Sequence, residues 1–274
     1  MIVAITTVDR SPRRNFVEQT LASMFAKDAS VERHAPIRII TDGEDMNFLG
    51  AWAADNRVVV NATNAKPLAW DHRGVSPRVL TANVRAMQAV PAGDGLLLLE
   101  DDLECAPRWL ERTERIVERI RADIGSTRFM LALYTTFRFV PDDGRHFDFA
   151  EREGYCACIR DNYYGSQAIY YGAEALPIIM ADMKQTGIVE RRLDNDIIVM
   201  DTSIRRDVPL LAAVPSLVQH VGRESTWSPC DKETMHQSPT FRDEDERPAA
   251  RTDQARPEPP GGASMADVLG RLGS

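Results

Sequence analysis

Four consecutive leucines, Leu96 to Leu99, run directly into Glu100, Asp101 and Asp102. An apolar run of this length without polar alternation reads as a strand buried on both faces, the signature of a parallel sheet covered by helices on each side. The C-terminal edge of such a strand is where an α/β sheet opens a ligand crevice. Adjacent acids repel one another, and their concentration at that edge calls for an external cation to offset the charge. Oxygen ligands point to a hard divalent ion such as Mn²⁺ or Mg²⁺, and Mg²⁺ in particular is typically shared with substrate phosphates. The pattern is that of a site holding a nucleotide diphosphate through a metal. A solvated acidic loop is the competing reading.

The rest of the chain supplies the layers such a strand needs. Ile2 to Ile5 reads as a first strand, followed by a helix from about Arg14 to Phe25 with Phe16, Val17, Leu21 and Met24 on one face. Strands are expected at Ile37–Ile40 and Val58–Val60, and a helix at Val79–Val90 with Val79, Ala82, Ala86 and Ala89 inward. Pro107 is placed to open a helix running through Arg121. Phe129–Tyr134 reads as another buried strand. This alternation argues for βαβ units. The second half is less regular, with a strand starting at Ala168, helices at Glu174–Gln185 and Asp194–Asp201, and a last extended segment at Val214–Val221. From Ser238 onward proline, glycine and charge dominate, so a folded body over 1–237 and a disordered tail over 238–274 are expected, with a short amphipathic helix at Met265–Leu272.

Composition narrows the classes. A net charge of −8 argues against bulk electrostatic binding to nucleic acid or anionic membrane. Cys105, Cys156, Cys158 and Cys230 fit no disulfide framework. No second Cys/His pair matches Cys156-Ala157-Cys158, so zinc is not expected. No stretch is long and apolar enough to span a bilayer, and the N-terminus has no basic, extended apolar leader, so a cytoplasmic protein without membrane contact is expected.

Ala4 to Arg10 with Phe16 to Met24 resembles the opening of the N-acetylglucosaminyltransferase IV family of N-glycan branching enzymes. Leu99-Glu100-Asp101-Asp102-Leu103 is similar to that family's metal motif, and Pro215 to Gly222 resembles its late motif. The three blocks occur in the family's order. The resemblance implies a GT-A (Rossmann-like) nucleotide-sugar-binding fold, α/β with a mainly parallel sheet and an irregular acceptor-side second half. It implies a metal-dependent, inverting hexosyl- or N-acetylhexosaminyltransferase using a nucleotide sugar, with UDP as the expected nucleotide. No Golgi anchor is read in the sequence, so small soluble bacterial or phage-type members are the better comparison. The acceptor stays open between a glycan, a small molecule and a hydroxymethylated DNA base.

Roles follow from the resemblance. Thr6 and Thr7 end the first strand, where a nucleotide-binding sheet presents its first loop. Asp42 is placed to accept from uracil N3–H, with an Asx-turn before Gly43 as the plain alternative. Arg78 and Asn83 match polar positions that reach ribose or diphosphate, and an arginine fork suits paired phosphate oxygens. The family pattern makes Asp102 the metal ligand, gives Asp101 to the sugar or ribose, and has Glu100 supporting the site or facing the donor. Gly165 and Ser166, within Tyr164 to Ala168, line the sugar pocket. His220 completes the metal shell or binds diphosphate, and Trp227 offers an apolar face to a sugar. An inverting transfer needs a base for the acceptor hydroxyl. Asp194 and Asp196 both qualify, and Asp194, three residues before Ile197, fits the related spacing better; one of the pair can instead be a helix N-cap.

Two rivals remain at this level. A sugar nucleotidyltransferase would carry a glycine-rich basic loop after strand one, and Thr6 to Arg14 lacks the glycines. A non-catalytic nucleotide-sugar-binding protein would keep Asp102 and have no use for a base.

Overall fold

The computed structural model describes residues 1–7, 16–41, 47–62, 77–134, 153–158, 163, 166–189, 195–221, 238 and 240–243, with backbone alone at 77–78 and 187–189. In chain order the described elements are β1 (Ile2–Thr7), α1 (Val17–Lys27), a 3₁₀ stretch (Ala29–His34), β2 (Ile37–Thr41), a second 3₁₀ stretch (Asn47–Ala54) and β3 (Val58–Ala62). There follow α2 (Pro77–Gln88), β4 (Leu96–Glu100), β5 (Leu103–Cys105), α3 (Trp109–Ile124), β6 (Met130–Ala132), β7 (Gly154–Ala157) and β8 (Ala168–Tyr171). The last are α4 (Leu176–Asp182) running into π-helical turns (Met183–Val189), α5 (Asn195–Arg205), β9 (Leu210–Val214) and β10 (Val218–His220).

Eight strands form one sheet in the order β3-β2-β1-β4-β8-β6-β9-β7. The leucines of β4 are 0, 0, 4 and 1% exposed, which settles their burial on both faces. Leu97 and Leu99 pack with Ile5, Leu21, Met24 and Trp109 on the α1/α3 side. Leu96 and Leu98 pack with Ala4, Leu80, Ile179 and Ile198 on the α2/α4/α5 side. At about 1.5–3 kcal/mol per buried leucine, this strand is a major part of what holds the two cores to one sheet.

The left half of the sheet is parallel, with β1 pairing β2 and β4, and β2 pairing β3. The chain winds outward from β1 to β3 and then returns to β4 on the other side of β1. That reversal is a topological switch point, and it brings Thr6, Thr7 and Glu100 to one edge of the sheet. The right half differs from the simple βαβ expectation. β8 lies antiparallel between β4 and β6, and β7 is antiparallel to β9. A strand buried on both faces carries the same apolar run whichever way it points, so composition does not reveal its direction.

Helix boundaries shift modestly. α2 stops at Gln88 and leaves Ala89 exposed, while Asn83 is buried instead. α3 starts at Trp109, after Arg108 in the left-handed region, and its first turn is capped from afar. Asp28 Oδ2 accepts from Leu110 N and Glu111 N at 2.8 and 2.9 Å. β9 falls mostly outside the extended segment expected at Val214–Val221, because Leu210-Leu211-Ala212-Ala213 is too short to separate from helix by periodicity.

The end of β8 is closely packed. A Cβ on Gly172 would lie 2.0 Å from the Thr127 carbonyl oxygen. Gly172→Ala is therefore expected to destabilise the protein by about 1–3 kcal/mol through backbone displacement. A wild-type melting curve for this variant would contradict that packing.

The folded body reaches past 237. Thr240 is fully buried and Ser238 is 8% exposed. Asp243 pairs with Lys27 at the end of α1.

Candidate functional site

Alternation along β4 puts Glu100 on the face of Leu96 and Leu98. Asp101 turns to the opposite side. Its Oδ2 accepts from Thr7 Oγ1 at 2.6 Å, and the side chain is 2% exposed. Thr20 of α1 braces the same turn. Its hydroxyl oxygen lies 2.7 and 3.0 Å from the carbonyl oxygens of Asp101 and Leu103, either of which can accept from it, and it accepts from Leu103 N at 2.9 Å. The acidic turn is thereby fixed by β1 on one side and α1 on the other.

Asp102 meets a partner from far along the chain. β10 pairs antiparallel with β5, setting His220 opposite Leu103. Val221 N donates to the Asp102 carbonyl at 2.9 Å, and His220 Nε2 lies 3.1 Å from Asp102 Oδ2 across 118 residues of sequence. The imidazole sits against the buried ring of Tyr134, 6.4 Å between centroids. Ligand atoms of Glu100, Asp102 and His220 all fall within 4.8 Å of one another. Two carboxylates and one imidazole, with Asp102 buried and the other two half-buried, form a donor set that fits a divalent cation.

Thr6 donates to the Leu99 carbonyl at 3.4 Å at the end of β1. Asn83, 2% exposed on α2, has a side-chain oxygen with no hydrogen-bond partner among the described residues. Ser166 and the start of α5 are clasped together. Ser166 N donates to Asp196 Oδ1 at 2.6 Å, and Asn195 Nδ2 donates to Ser166 Oγ at 2.5 Å. Burial pushes the phenols of Tyr163 and Tyr171 well above their ordinary range, and the charges of Asp196 and Glu100 push them further. The acid of β4 and the acid of α5 thus act on the same two buried rings.

The sequence-derived candidates divide accordingly. Asp102 and His220 are brought together, and Glu100 joins them. Thr6, Thr7 and Asp101 line the switch point, with Asp101 bonded to Thr7. Ser166 and Asp196 form the clasp. Asp42, Gly165, Asp194, Trp227 and the side chain of Arg78 lie outside the described residues. Thr20 and Asn195 do not stand out in the sequence, since each acts through a contact to a distant loop that no local pattern announces.

No protein-family model matches the chain, and no curated protein matches it. Among solved structures, GalNAc-T7 with UDP, GalNAc and Mn²⁺ superposes with a TM-score of 0.53 at 12% identity, over 83% of this chain and 45% of that one. The present chain spans less than half of that protein's length. The α/β layers, the sheet winding and this superposition agree. The fold is GT-A. A mannosyltransferase from Pyrobaculum calidifontis in complex with GDP-Man and Mn²⁺ gives a TM-score of 0.48 at 10% identity, over 82% of this chain and 58% of that one. The 4-diphosphocytidyl-2C-methyl-D-erythritol synthase from Anaerococcus prevotii gives 0.46 at 13% identity, over 78% and 87%. At 12% identity the likeness to GalNAc-T7 speaks for the fold and no further. Among the described residues no helix is long and apolar enough to cross a membrane.

Proposed function

We propose that this chain is a divalent-cation-dependent glycosyltransferase that moves a sugar from a nucleotide sugar to a hydroxyl acceptor with inversion. The observation that carries the reading is the convergence of Glu100, Asp102 and His220 at the switch point of a GT-A sheet. A cation bound there would neutralise charge on the diphosphate leaving group. Thr6 and Thr7 are assigned to the nucleoside half of the donor, Asn83 to ribose or diphosphate, and Asp42 and Arg78 to base and phosphate. Asp101, bonded to Thr7, orders the loop end that faces the donor. Gly165 and Ser166 are assigned to the sugar pocket.

The base is assigned to Asp194. Asp196 Oδ1 already accepts from a backbone N–H and fixes the Ser166 segment to α5, a positioning duty that suits it less to proton abstraction. UDP as the nucleotide and Mn²⁺ as the ion are the finer choices. The ordered sequence blocks that resemble N-acetylglucosaminyltransferase IV support the first, and the imidazole in the donor set supports the second.

Product analysis tests the reading. Nucleotide sugars with Mn²⁺ are expected to yield nucleoside diphosphate and free or transferred sugar. Release of pyrophosphate from a nucleoside triphosphate and a sugar 1-phosphate would replace the transferase by a nucleotidyltransferase. Tight donor binding with no turnover under any acceptor would make the chain a binding protein.

A further inference from the structure

The strand that delivers His220 is short. β10 has three residues and, among the described residues, pairs only with the three residues of β5. A two-stranded ribbon of this size is marginal alone, so other contacts must set where His220 sits. Some come from the main body: Leu217 N donates to the Leu133 carbonyl at 2.9 Å, and Ala106 N to the Leu217 carbonyl at 2.9 Å. Val221 N also donates to the Asp102 carbonyl at 2.9 Å, and further contacts come from the polar segment around Ser238 to Asp243. Thr240 Oγ1 accepts from the backbone N–H of fully buried Ser216 at 3.0 Å. Ser238 N donates to Gln219 Oε1 at 2.9 Å, and Gln219 Nε2 donates to the His220 carbonyl at 3.2 Å. The Ser238 and Thr240 hydroxyls lie 3.2 Å apart, and the segment's outer end is anchored by the Lys27–Asp243 pair.

We propose that Thr240 and Ser238, acting through Ser216 and Gln219, are positioning residues that hold His220 at the distance from Asp102 that a divalent cation requires. Polar groups behind a ligand side chain set its orientation, and their loss typically costs about 10–100-fold in metal affinity. The strap's hydrogen bonds run to Ser216 and Gln219, so its effect reaches the cation through the His220 backbone. The inference rests on reading Glu100, Asp102 and His220 as a cation site.

The test is titration of Mn²⁺ alone into the full chain, followed by electron paramagnetic resonance, with melting temperature measured in parallel. Thr240→Val keeps the shape and removes the acceptor of Ser216 N–H, while Thr240→Ser keeps the hydroxyl. Gln219→Met cuts the link between Ser238 and His220, and serves if Thr240→Val does not fold. Thr240→Val and Gln219→Met act one contact further back than the groups that contribute about 10–100-fold, so they are expected to bind Mn²⁺ up to about tenfold more weakly, with Thr240→Ser close to wild type. Wild-type Mn²⁺ affinity in both weakened variants, whatever their melting temperature, would reduce the strap to a stability element and overturn the proposal while leaving the cation site intact. No Mn²⁺ binding by the wild type would remove the cation site itself, and unchanged binding by His220→Ala would remove His220 from it; either result overturns the inference.

Discussion

Asp102→Asn is expected to bind a nucleoside diphosphate on the order of 10²-fold more weakly in Mn²⁺ than the wild type, a loss of about 2.8 kcal/mol at the usual conversion. The carboxamide keeps the size of the side chain and an oxygen that can still accept from His220 Nε2, which lies 3.1 Å from the native carboxylate. It removes the charge that holds a cation. In the metal-free protein that same charge sits beside Glu100, within the 4.8 Å cluster, and repels it. The variant's metal-free melting temperature should therefore equal or exceed that of the wild type. Loss of function without loss of stability is the pattern of a residue kept for its ligand rather than for the fold. Calorimetry in Mn²⁺ and in EDTA, with thermal melts of both proteins, checks both halves. Unchanged Mn²⁺-dependent affinity would take Asp102 out of the site.

The second large effect concerns transfer. Asp194→Asn is expected to lower turnover by about 10²–10⁴-fold, the usual contribution of a general base. Donor affinity should be unchanged, because the base acts on the acceptor proton in the transition state. If Asp194 were only the cap of α5, asparagine would replace it with a stability change of well under about 1 kcal/mol. The neighbouring acid gives the contrast. Asp196→Asn keeps an oxygen for Ser166 N but weakens a hydrogen bond of 2.6 Å, so its effect should appear in stability and donor affinity together. Single-turnover assays of both variants separate the roles. Near-normal transfer by Asp194→Asn with collapse in Asp196→Asn would move the base to Asp196.

The centre of this molecule is readable in the sequence because the chemistry there is dense and local. An unbroken leucine run ending in acids admits few structures, and Leu96 to Leu99 are buried as that pattern requires, with Glu100 and Asp102 at the strand's end. The residues that complete the site are harder to place. Glu100 reads as a supporting acid until the pleat shows that it shares a cluster with Asp102. His220 stands out only through its motif, and its position depends on two three-residue strands that no hydrophobic period marks. The strap at Ser238 and Thr240 is less legible still. Polar composition argues for a tail beginning at 238, whereas Thr240, a polar residue, is fully buried and accepts from Ser216 N. Hydropathy does not register that kind of burial. Strand direction in the right half of the sheet is hidden for the opposite reason, since β8 is apolar on both faces and looks the same either way.

Titration of nucleoside diphosphates into the wild-type chain, once with Mn²⁺ and once with EDTA, addresses the central claim most directly. The cluster of Glu100, Asp102 and His220 predicts saturable binding of at least one diphosphate in Mn²⁺, UDP first among them, and its loss on chelation. Equal affinity in EDTA, or no binding of any diphosphate in either condition, would contradict the assignment of this crevice to a metal-held nucleotide donor.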